Sequence, residues 1–115
     1  MNSEDVQYQR DRIFEQLEDL GSLEEQIRYQ ETVPIAQVPA ELINQWFDDW
    51  YHPDSTQFRE CFSNQELALL AEFSSFFEAR LESLPDTNDI RELHQCPKWL
   101  EIAAKAKQVH DRLTQ

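Results

Sequence analysis

A chain of 115 residues with 23 acidic and 10 basic side chains carries a formal charge of -13, a field that repels nucleic acid and anionic lipid and so argues against direct binding to either. Its hydrophobic content of 40%, with three Trp and seven Phe, can offset chain entropy in one core, which argues against disorder and for a single domain. One glycine in the whole chain removes the Walker and dinucleotide loops and most tight hairpins, and β-branched residues are sparse, which leaves helices.

Residues 5–20 place Val6, Ile13, Leu17 and Leu20 at helical spacing with Tyr8 and Phe14 nearby, and Gly21 stands where a left-handed C-terminal cap belongs. Ser22 precedes Glu25 by three residues, the spacing of a capping box, so a brief second helix follows with Leu23, Ile27 and Tyr29 on its apolar stripe. The stretch 32–39 contains Pro34 and Pro39, which restrict their preceding residues to extended backbone, and it reads as a linker packed by Val33, Ile35 and Val38.

Pro39 opens a third helix in which Leu42, Ile43, Trp46, Phe47 and Trp50 recur at three- and four-residue spacing, ending at Tyr51-His52-Pro53. Asp54 or Ser55 then caps a short helical turn through Phe58, Cys61 and Phe62. Ser63-Asn64-Gln65-Glu66 is a second capping box, and the stripe Leu67, Leu70, Phe73, Phe77, Leu81, Leu84 predicts a central helix over 64–84. After a break at Pro85-Asp86-Thr87-Asn88, a short helix covers 89–95. Pro97 begins the last helix, with Trp99, Ile102, Ala103, Ala106, Val109 and Leu113 inward.

The expected architecture is therefore an all-α single domain of about six helices. It divides into an N-terminal helical pair over 1–31, the proline-containing linker 32–39, and a main helical core over 40–115, with the central helix packed against 40–51 and 97–113. The opening Met1-Asn2-Ser3-Glu4-Asp5 has neither the basic nor the apolar region of a secretory signal, and no apolar run reaches bilayer length, so a cytoplasmic protein is expected. Cys61 and Cys96 lack C-x-x-C spacing and read as reduced small hydrophobes in or near the core.

Catalytic and metal signatures are sparse. Asp49-x-x-His52 is half of a di-iron helix motif, but His94 and His110 are preceded at that spacing by Arg91 and Lys107, so neither a metal nor any other cofactor is expected. No nucleophile elbow surrounds either cysteine, no G-x-S-x-G occurs, and the many carboxylates make any one pair uninformative; no catalytic residue is assigned.

Two acidic surfaces remain as candidate partner-binding sites. The first is Asp48, Asp49, Trp50, Tyr51 and Asp54, where aromatic anchors alternate with acids at a helix end; Trp46, four residues before Trp50, reads as core. The second is Glu15, Glu18, Asp19, Glu24 and Glu25 around Gly21. Runs of this kind are usually solvated faces, and the functional alternative is mimicry of a nucleic-acid backbone. The charge is uneven, with -15 over residues 1–96 and +2 over 97–115.

Asp48-Asp49-Trp50, the Phe62-Ser63-Asn64-Gln65-Glu66 start of a Phe-rich helix at Phe73, Phe76 and Phe77, and Pro97-Lys98-Trp99 together span roughly residues 40–110. In these features the chain resembles the small acidic immunity proteins that bacteria use against toxins of contact-dependent growth inhibition and related interbacterial systems. That resemblance implies a cytoplasmic inhibitor covering the active site of a basic toxin domain, often a nuclease, with no catalytic residue of its own. The alternatives are an acidic nucleic-acid mimic or adaptor that binds a host DNA-binding protein, and a small helical enzyme or metal-binding protein.

Overall fold

A computed structural model describes residues 2–115, and among them there are seven α-helices and no strand. They run α1 Ser3–Gly21, α2 Leu23–Thr32, α3 Val38–Asn44, α4 Thr56–Glu60, α5 Asn64–Glu78, α6 Ile90–Leu93 and α7 Pro97–Leu113. A π-helical turn, Gln45–Trp50, continues α3, and a 3-10 turn, Leu81–Ser83, follows α5. The fold is all-α, as the helical periodicity predicts.

α1 begins at Asn2, whose side chain accepts from the Asp5 N–H, and buries Ile13, Leu17 and Leu20 on one stripe. That stripe meets Trp99, Ile102, Ala106 and Val109 of α7, so the N-terminal helix belongs to the same core as residues 40–115. α7 packs against both α1 and α5. The helix expected over 64–84 is shorter than the stripe suggests: α5 stops at Glu78, with Arg80 just beyond its end. The Arg80 guanidinium donates to the Phe76 carbonyl at 3.0 Å, stacks on the Phe76 ring, and reaches Glu101 of α7 at 3.1 Å. A side chain thereby satisfies a helix-end carbonyl that would otherwise be orphaned.

Gly21 is also reassigned. It lies inside α1 with no left-handed backbone, and Ser22 caps the helix in an extended conformation. What favours glycine is proximity: a Cβ there would stand 3.1 Å from the backbone nitrogen of Lys107 and 3.3 Å from its Cα, a tight fit that needs a shift of a few tenths of an ångström, so α1 and α7 approach each other closely at this residue.

Both capping signals place helix starts. At Ser63 the box is reciprocal, with Glu66 N–H donating to Ser63 Oγ at 3.1 Å and Ser63 N–H to Glu66 Oε1 at 2.8 Å. At Ser22 only half forms: Ser22 Oγ accepts from the Glu25 N–H at 3.2 Å, while the Glu25 carboxylate is ion-paired with Arg28. Glu66 does further work across the fold. Arg10 of α1 grips it through both guanidinium nitrogens, at 2.9 and 3.0 Å, and also donates to the Cys61 carbonyl at 3.0 Å. The Arg10 hydrogen bond is the main reason the Glu66 carboxyl sits below its ordinary range. Cys61 is buried and Cys96 half-buried.

Candidate partner-binding surface

The π-helical turn is built on an aromatic base. Trp46 is fully buried, meets Phe73 of α5 edge-on at 4.9 Å, and donates its indole N–H to Ser74 Oγ at 3.2 Å. The turn returns Tyr51 N–H to the Trp46 carbonyl at 3.0 Å, a five-residue step in place of the α-helical four. That extra residue changes which ring joins Trp46. Four-residue spacing would bring Trp50 inward, but it is Tyr51 that stacks on Trp46, with centroids 4.9 Å apart and planes 14° from parallel. Tyr51 also meets Phe58 edge-on at 5.6 Å and is 9% exposed, so its ring is core and unavailable as an anchor, contrary to the sequence reading. Burial, then the nearby Asp54 charge, raises its phenol above the ordinary range.

Trp50 is half-buried and packs against the edge of the core, its ring edge-on to the exposed Tyr8 of α1 at 6.4 Å. Asp48, Asp49 and Asp54 are all exposed, and none forms an ion pair among the described residues. The segment that follows is fixed by its own backbone bonds. His52 Nε2 engages the Asp49 carbonyl at 2.9 Å, Arg59 donates to the Pro53 carbonyl at 2.9 Å, and Ser55 Oγ caps α4 through Phe58 N–H. His52 therefore faces the backbone of Asp49, so the carboxylate-x-x-His spacing does not produce a shared ligand pair. Among the described residues no group of three or more His, Cys, Asp or Glu side chains is arranged to hold a metal ion.

The second acidic surface has a different electrostatic state. Glu15 is paired with Arg12 at 2.8 Å, and Arg28 is paired with Glu25 and, at 3.4 Å, with Glu24. Glu18 and Asp19 keep no ion-pair partner among the described residues. Asp19 lines a groove of about 330 Å³ together with residues of α2 and α3, and its carboxyl pKa is raised above the ordinary range by burial first and then by Glu18, Glu15 and Glu25.

Beneath this surface lies a polar cluster that the sequence reading missed. Gln26 of α2 is 2% exposed and its Nε2 donates to the carbonyls of Asp19 and Leu20, at 2.9 and 3.1 Å. Its Oε1 accepts from Trp99 Nε1 at 3.1 Å and lies 2.8 Å from His94 Nε2. An indole N–H can only donate and a carbonyl can only accept, so the amide has one permitted orientation and His94 must carry its proton on Nε2. Burial, then Arg91, lowers the His94 pKa against an opposing pull from Asp89, which favours the neutral ring. The available signal was a glutamine between Leu23 and Ile27 on a stripe otherwise apolar.

No described helix is long and apolar enough to cross a membrane. Comparison with family models, with curated proteins and with solved structures returned no match.

Proposed function

We propose that this protein is a non-catalytic, cytoplasmic inhibitor that binds a basic protein, of the kind immunity proteins use to neutralise a toxin domain such as a nuclease. The observation that carries the reading is the edge at 48–54. Three exposed carboxylates without cation partners among the described residues flank the half-buried Trp50 in sequence, at the end of a turn held by the Trp46–Tyr51 stack. Unpaired acids on a rigid base give up no internal salt bridge when a partner's Lys or Arg arrives, and a half-buried Trp supplies an anchor whose side-chain entropy is already partly spent. The net charge of -13 steers such a partner toward the surface at low ionic strength.

The test is capture by the tagged full chain from lysate of its source organism at low and high salt, with bound proteins identified by mass spectrometry. One basic partner should be retained in stoichiometric amount at low salt. Asp48→Lys combined with Asp49→Lys should weaken it by at least about tenfold with helical circular dichroism unchanged, an effect of about 1.4 kcal/mol. Retention equal in the double variant and the parent would overturn the reading.

A further inference from the structure

The groove between α2 and α3 has the shape and charge of a side-chain receptor. Asp19 of α1, Tyr29 of α2, Val33 just beyond it, Leu42 of α3 and Gln45 of the π-helical turn all line it. A space of about 330 Å³ lies at the small end of the range for ligand pockets and suits one long side chain. Val33, Leu42 and the Tyr29 ring make part of its lining apolar, and Asp19 is without an ion-pair partner among the described residues. Near Tyr29, Glu41 of α3 has its Oε2 buried without a hydrogen-bond partner among the described residues. Arg28 lies at the groove but its two terminal nitrogens are committed to Glu24 and Glu25, so it does not answer the Asp19 charge. Low-dielectric walls focus the field of these acids into the groove.

We propose that this groove receives an arginine side chain from the basic partner. The aliphatic stem lies against Val33 and Leu42, and the guanidinium lies over Tyr29 with its N–H groups on the Asp19 carboxylate and the Gln45 amide oxygen. Arginine is specified over lysine because a planar, weakly hydrated cation can stack on an aromatic ring and donate to two acceptors at once, whereas an ammonium keeps its water more firmly. Asp19 gains most from such a guest, since burial beside Glu18, Glu15 and Glu25 already disfavours its charged form. The inference rests on the inhibitor reading only for the source of the arginine; the receptor chemistry is the groove's own.

Amide NMR titration of the full chain with N-acetyl-arginine methylamide tests it, against the citrulline counterpart of the same shape and no charge. The arginine probe should shift amides of Asp19, Gln26, Val33, Leu42 and Gln45, and citrulline should not. Asp19→Asn should weaken the response at least fivefold, and Val33→Trp, which fills the groove from a position already 37% exposed, should remove it. Equal shifts with both probes, shifts spread over the acidic surface, or an undiminished response in both variants would overturn the proposal. The two readings fail separately. A basic partner that depends on Asp48 and Asp49 while the probe leaves the groove unshifted removes the receptor alone. A groove that binds the probe while the bait captures no basic protein removes the inhibitor alone.

Discussion

The two acidic surfaces, with five carboxylates around Gly21 and three at the 48–54 edge, differ in what those carboxylates are already doing. Around Gly21, three of the five acids are held by Arg12 and Arg28 within their own helices. At the 48–54 edge, none of the three is held by a cation among the described residues. Counting charge along a sequence therefore overstates the field available to a partner wherever i,i+3 and i,i+4 arginines are present. The foundations differ as well. The 48–54 edge stands on stacked aromatic rings, while α2 stands on the polar contacts of Gln26. One is held by dispersion and area, the other by satisfied donors and acceptors.

The largest expected effect breaks the first foundation. Trp46→Ala removes a fully buried indole that contacts Tyr51 and Phe73 and donates to Ser74. Loss of a buried Trp side chain costs about 3–5 kcal/mol, a large part of the stability of a domain this size. Urea denaturation should show the midpoint falling accordingly, and partner binding at 48–54 should fall with it. A Trp46→Ala protein with an unchanged midpoint would mean that the turn does not depend on the stack.

A smaller effect probes the second foundation through pH. The folded His94 pKa lies below the ordinary value of 6.5, so the unfolded chain takes up a proton first as pH falls. Stability from this group is fully present above about 6.5 and declines as pH drops toward the folded pKa, because only the unfolded state is then gaining protons. His94→Gln keeps an N–H donor for Gln26 and has no titration in that window. Urea midpoints measured at pH 7 and pH 5 should fall more in the parent than in this variant, and equal falls would remove His94 as the cause.

Sequence periodicity was sufficient where one face of a regular helix meets the core. The stripe at Ile13, Leu17 and Leu20, the Ser63 capping box and the Pro97 start all appear where local chemistry places them. It fell short where tertiary contacts override local pattern. The π-helical step exchanged Trp50 for Tyr51 because Trp46 needed a flat partner beside Phe73, and no three- or four-residue rule carries that information. Gly21 was legible as special but not as a point of close approach, since Lys107 lies far along the chain. The acidic residues of both surfaces were legible as residues. Which of them already had partners became clear only once Arg12 and Arg28 were placed. The groove was not legible because Asp19, Tyr29 and Leu42 come from three helices.

The smallest expected effect bears directly on the distinction between held and unheld acids. Arg28→Gln leaves Glu24 and Glu25 without their cation on exposed turns of α2. Exposed helix pairs at this spacing contribute about 0.3–0.5 kcal/mol each, so stability should fall by less than about 1 kcal/mol at low salt. The difference from the parent should vanish in 1 M salt, where screening acts within about 3 Å. Releasing two carboxylates also adds to the unpaired negative field, so association with a basic partner at low salt should become faster even as the protein becomes slightly less stable. Stopped-flow association and urea midpoints measured on the same sample separate the two consequences. A slower or unchanged association rate would show that carboxylates held by Arg28 were already as available as those at 48–54, and the contrast between the two surfaces would no longer explain which one binds.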